Sequence, residues 1–289
     1  MDVSDRSSLP RHASQPARLA LPRSADGLPP VDRAFWRIVD DGLSSLSLEL
    51  SGGARAAIDA QVRLLLAWNA HVNLSGLRTL EQIARGHVLD SLVAVAPLRA
   101  LGRARPSLLD LGSGAGYPGL PLAVALPTRR AALVDSIAKK AAFLKVAVGA
   151  ALDAMREARE PDVPETDVLA ERAEDLADEA DQHEAWDLVT ARAVGSVAEV
   201  AELGLPLVRR GGHVAIWKHA GTAGELGAEI AAAAGVIAAA GGGSARIVYL
   251  PAAERIGLAG HCLVVIGKRR PTPDRYPRSA GERRRRALR

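Results

Sequence analysis

The sequence predicts an α/β protein: an open sheet of about seven strands, mostly parallel with an antiparallel last pair, preceded by a small helical domain. Three observations carry that expectation. Between residues 33 and 101 apolar side chains recur at helical spacing with no strand signal. After Pro106 short apolar runs alternate with helix-length stretches, the pattern of parallel strands joined by right-handed crossovers. The last two runs are separated by a loop too short for a crossover helix, so they should pair antiparallel.

Taken in order, residues 1–32 hold five prolines, many Ser and Arg and no hydrophobic period, and read as a disordered leader outside the fold. The helical domain, 33–104, places Ile58, Val62, Leu65 and Leu66 on one helix face. Ile83, His87, Leu89, Leu92 and Val93 mark a later helix. The α/β domain, 105–267, has candidate strands at 108–111, 131–135, 168–170, 188–191, 213–217, 246–250 and 262–267. The acidic, proline-containing stretch 156–167 reads as a surface loop.

Residues 268–289 form a basic tail of ten basic and two acidic residues. The rest of the chain carries 27 basic against 31 acidic, so the net charge of +4 reports the tail. Such a tail attracts polyanions through counterion release. If instead Tyr276 and Pro277 pack back onto the body, it is structural.

With 289 residues, 48% hydrophobic and 24% charged, the chain is of globular composition. A single cysteine, Cys262, excludes a disulfide framework and a multi-cysteine zinc site, and fits a reducing compartment. Apolar runs fall short of the roughly 18 residues of a membrane span. Pro10, Arg11, His12, Arg18 and Arg23 interrupt any signal-peptide core. A cytoplasmic protein without a membrane partner or a metal is expected.

The most informative residues run from Leu109 and Asp110 through Gly112, Gly114 and Gly116 to Tyr117, Pro118 and Gly119, where the first strand should end and a helix begin. Glycines there permit positive φ and let the backbone approach a ligand, at the carboxyl sheet edge where open α/β folds bind ligands. Gly114, Gly116 and Gly119 satisfy the dinucleotide fingerprint, and Asp135 follows about 20 residues on, placed for ribose hydroxyls. Either NAD or S-adenosylmethionine suits these residues. Asp110, at a position usually apolar in dehydrogenases, and the antiparallel closing pair favour S-adenosylmethionine.

Seven segments in order resemble the bacterial 16S rRNA guanine-N7 methyltransferases, also called glucose-inhibited division protein B. They are Trp68-Asn69 with Asn73-Leu74; His87-Val88-Leu89-Asp90-Ser91-Leu92; the glycine loop through Leu120-Pro121-Leu122-Ala123; Leu133-Val134-Asp135-Ser136; Lys139-Lys140; Phe143-Leu144; and Thr190-Ala191-Arg192-Ala193. The resemblance covers roughly residues 60–267. It implies a class I S-adenosylmethionine-dependent methyltransferase, Rossmann-like, acting on 16S rRNA of the small ribosomal subunit; nothing in the sequence demands more than a monomer. It implies cofactor contacts at Gly112, Tyr117, Ala173, Glu174 and Arg192. The sequence departs at Gly86, where the family usually has arginine before the motif histidine; here Arg85 stands one earlier. The tail begins Tyr276-Pro277-Arg278 as in many members, then lacks a later proline and becomes arginine at 283 to 286.

Guanine N7 has a free lone pair, so no general base and no catalytic residue is expected; alignment supplies the acceleration. Cys262, in a late strand, reads as core, and Asp90 reads as a structural anchor. His87 is equally open to a core role. Tyr117 and Trp217 are the aromatics available to stack on a base or adenine, although a core role suits Trp217 as well. The competing readings are a methyltransferase for a small molecule or protein, and a non-catalytic nucleic-acid-binding protein on the same scaffold.

Overall fold

A computed structural model of the chain describes residues 21–221 and 224–285. The helical part comprises α1 (Arg33–Leu46), α2 (Gly52–Asn69), α3 (Leu80–Ile83), a π-helical segment (Ala84–Leu89), α4 (Asp90–Leu92) and α5 (Val95–Arg99). Then follow β1 (Ser107–Leu111), α6 (Gly119–Ala125), β2 (Arg130–Val134), α7 (Ala138–Glu157), β3 (Glu165–Leu169), α8 (Ala173–Ala177) and β4 (Trp186–Arg192). The chain continues with α9 (Val197–Gly204), β5 (Val208–His219), α10 (Glu225–Ala239), β6 (Arg246–Tyr249), α11 (Pro251–Arg255), β7 (His261–Gly267) and α12 (Ala280–Arg285).

The seven strands form one sheet in the order β3-β2-β1-β4-β5-β7-β6. The first five are parallel; β7 runs antiparallel between β5 and β6. This is the class I methyltransferase arrangement that the sequence predicts. Reversal of strand order about β1 and β4 opens a crevice at their carboxyl ends.

Alternation along the strands divides the core. Leu108, Leu133, Leu188, Ala215, Leu263 and Val265 face α2, α6 and α7. Leu109, Val134, Val189, Ile216, Val264 and Ile266 face the side of α9 and α10. The N-terminal helices share the first of these cores, with Ile58 and Leu65 of α2 packed alongside Phe143, Leu144 and Ala147 of α7. Cys262 and Trp217 are core residues, and Trp217 Nε1 donates to the Asp90 carbonyl at 2.8 Å.

Three sequence expectations are corrected. Residues 21–32 pack on α2 instead of lying outside the fold. Trp68 Nε1 donates to Pro22 O (2.9 Å), Arg63 to Ala25 O (2.7 Å), and Ala25 and Val31 are buried. A turn closed by Leu28 N–H on Ala25 O, with Gly27 at φ +71°, presents carbonyls that accept from α2 side chains. Residues 1–20 of the expected leader lie outside the described residues. The loop predicted over 156–167 is shorter, because α7 reaches Glu157 and β3 starts at Glu165. As an edge strand paired to β2 alone and left half-exposed, β3 needs no apolar run. The third concerns the tail, whose described residues 268–285 fold back onto the body. Tyr276 is buried in the second core. Lys268 is buried, donating to Leu205 O and paired with Glu184 at 3.0 Å. Arg278 pairs with the buried Glu202 at 2.8 Å. Carboxylates of the body thus neutralise part of the tail's charge.

Candidate cofactor site

Burial of β1 on both faces carries the chain to Leu111, and the glycines then turn it sharply. Gly112, Gly114 and Gly116 adopt φ of +64°, +58° and +87°. At Gly112 a Cβ would lie 2.7 Å from Val194 Cγ2, so the backbone conformation favours glycine and any side chain would push Val194 into the cleft. The turn is held from three sides. Gly114 N–H donates to Asp135 Oδ2 (3.0 Å) and Ser113 N–H to Val134 O (2.9 Å). From α2, the buried Gln61 donates through Nε2 to Ala115 O (3.0 Å) and Gly116 O (3.3 Å). From beneath, Asp110 accepts from Gly119 N–H (3.1 Å) and Thr190 Oγ1 (2.7 Å). Burial pushes the Asp110 carboxyl up to about 6, against these hydrogen bonds, which favour the ionised form.

Beside this turn lies a cleft of about 360 Å³ at the carboxyl ends of β1, β2 and β4. Gly112, Asp135, Ala173 and Glu174 line it together with Ile137, Arg172 and Val194. Ile137 and Val194 are exposed apolar side chains, a lining suited to the faces of a flat ring. Asp135 accepts from Gly114 and Ile137 N–H groups, which leaves further lone pairs on both oxygens for hydroxyl donors. Across the cleft, Glu174 accepts from Arg283 at 3.0 Å. Burial would raise its carboxyl, but its hydrogen bonds and Arg283 together hold it below the usual range.

Tyr117 and Arg192 do not line the cleft; they belong to a buried network behind the glycine turn. Arg192 donates to Asp90 Oδ2 (2.6 Å), Gly86 O (2.9 Å) and His87 Nδ1 (2.9 Å). Asp90 Oδ1 lies 2.8 Å from His261 Nδ1. The Tyr117 ring stacks on His87, centroids 4.4 Å apart and 5° from parallel. Tyr117 is only 3% exposed, with its ring set against His87.

Because Arg192 can only donate, His87 Nδ1 is the acceptor. Its proton sits on Nε2, 2.6 Å from Ser75 Oγ. Burial, then the Arg192 charge, lowers the imidazole to about 3. A depressed histidine stabilises the fold fully above its unfolded value of 6.5, and that contribution is lost as pH falls towards 3. We expect the His87 ring protons to show no titration between pH 5 and 8 by NMR; a midpoint near 6.5 would refute the buried Arg192–His87 contact.

Gln61, Ser75, His261, Ile137, Val194 and Arg283 were not legible as site residues. Of these, Gln61 left a trace, a polar side chain on the apolar stripe between Ile58 and Val62.

Comparison with known proteins decides the family. Residues 55–235 match GidB, rRNA small subunit methyltransferase G. The chain belongs to this family. It is 39% identical over 217 residues to the ribosomal RNA small subunit methyltransferase G of Roseiflexus sp. (strain RS-1), covering 75% of this chain and 84% of that protein. The enzyme of the same name from Rubrobacter xylanophilus is 36% identical over 229 residues, 78% of this chain and 81% of its own. That from Chloroflexus aggregans is 33% identical over 254 residues, covering 87% and 98%. Membership of the GidB family identifies the chain as a methyltransferase, in accord with its sheet order. Among the described residues no helix is long and apolar enough to cross a membrane.

Proposed function

We propose that the chain transfers a methyl group from S-adenosylmethionine to N7 of a guanine in 16S rRNA, acting in the cytoplasm as a monomer on the small ribosomal subunit. One observation supports the site assignment above others. The glycine turn at the carboxyl edge of β1 borders the same cleft as Asp135, at the end of β2. The residues present fit the cofactor. Gly112 offers backbone without a side chain, Asp135 offers acceptors for ribose hydroxyls, and Ile137 and Val194 offer apolar surface for the adenine. Ala173 and Glu174 stand at the same wall, and Glu174 supplies a carboxylate for donors on the base.

When bound, the cofactor supplies a sulfonium-activated methyl group. The chain's own part is positional. Rigid hydrogen bonding of the turn by Gln61, Asp110 and Asp135 fixes the bound geometry before the acceptor arrives. N7 carries no proton at neutral pH, so no side chain is required to remove one as a general base. Arg269, Arg270, Arg275 and Arg285 remain exposed on the C-terminal segment and suit phosphate contact.

The test is transfer of labelled methyl groups to small subunits from a strain lacking the enzyme, followed by mapping of the modified nucleotide. Label in one N7-methylguanine of 16S rRNA is the expected result. Label in protein or small molecules alone would refute the substrate, and binding without transfer would favour a scaffold.

A further inference from the structure

The C-terminal segment does more than cover the second core. Three of its basic side chains meet three carboxylates on three different parts of the body: Lys268 with Glu184, Arg278 with Glu202, and Arg283 with Glu174. The first two are anchors. Arg278 contacts Glu202 through its backbone N–H (3.0 Å), Nε (2.8 Å) and one terminal nitrogen (2.8 Å), which fixes the chain beside α9. Ser279 then starts α12 in a reciprocal cap with Glu282: Ser279 N–H donates to the Glu282 carboxylate at 3.0 Å.

The third pair differs, because its carboxylate lines the cofactor cleft. Arg283 and Glu174 are mutually shielded, with side chains 13% and 16% exposed. The arginine is itself steadied by donating to the Arg278 carbonyl. Glu174 lies in the first turn of α8, whose first residue follows Arg172 with no side-chain cap. Without Arg283, the Glu174 side chain has a short, uncapped helix to hold it. An ion pair with this little exposure orients a carboxylate more firmly than a surface pair does.

We propose that Arg283 is a positioning residue of the cofactor site, holding the Glu174 carboxylate at the cleft wall from a C-terminal strap, residues 268–285. The proposal rests on the reading of the cleft as the S-adenosylmethionine site and adds a part of the chain that lies outside the family match, which ends at residue 235. Arg283 touches no reacting atom; it acts through Glu174.

The experiment uses the full chain, with S-adenosylmethionine binding followed by calorimetry and methyl transfer to small subunits followed kinetically. Arg283→Ala is expected to weaken cofactor binding about five- to tenfold and to raise KM for the cofactor by the same factor, with kcat close to wild type. Arg283→Lys should recover much of the loss. In a Glu174→Gln background, adding Arg283→Ala should cost less than about twofold, since the partner's charge is already gone. Unchanged affinity in Arg283→Ala, or the same loss with and without the Glu174 carboxylate, would overturn the proposal. A wild-type chain that fails to bind S-adenosylmethionine would instead refute the cleft assignment itself.

Discussion

Gly112→Val is expected to reduce S-adenosylmethionine binding by more than about 100-fold, equivalent to about 3 kcal/mol, while leaving a folded chain. Two effects add at this position. The backbone sits at φ +64°, where a β-branched residue is a genuine outlier costing roughly 1–2 kcal/mol. The new side chain also points at Val194 Cγ2, 2.7 Å from where its Cβ would stand. Val194 is exposed and can swing aside, so the fold survives, but only by crowding the cleft that both residues line. Calorimetric titration with S-adenosylmethionine, with a thermal melt beside it, makes the check. A folded variant that binds as tightly as wild type would show that the cofactor sits elsewhere.

What could be read in advance follows from how deeply each element is buried. β1, β2 and β4 are covered on both faces, so they appear in the sequence as apolar runs, and the glycines after β1 mark the turn directly. β3 is bonded on one side and half-exposed; Glu165, Thr166 and Asp167 hide its first half, so only the apolar run at 168–170 marked it. The tail misled for a different reason. Its arginines look like free charge because their partners are distant in sequence, Glu174 being 109 positions from Arg283. Local composition cannot show such pairing. Family resemblance pointed to Tyr117 and Arg192 by position alone, and the structure adds that both face the network around His87 and Asp90.

That network makes Asp90→Ala the second large effect. Asp90 is buried, and its two oxygens serve Arg192 and His261. Deleting the carboxylate strands the Arg192 guanidinium, itself largely shielded, with only the Gly86 carbonyl and His87 Nδ1 for company. Removing one member of a buried pair costs about 3–5 kcal/mol; the two surviving contacts argue for the lower end. In a chain of this size the midpoint of thermal unfolding should fall by roughly 6–10 °C. Arg192→Met added to Asp90→Ala removes the stranded charge and should recover most of that stability. Methyl transfer is expected to be lost in Asp90→Ala and not to return with it, because Arg192 ends β4, which pairs with β1 directly before the glycine turn that borders the cleft. Stability and activity therefore separate in the double variant. If transfer to small subunits were restored along with the melting temperature, Arg192 would be a structural residue alone and the network would have no part in the reaction.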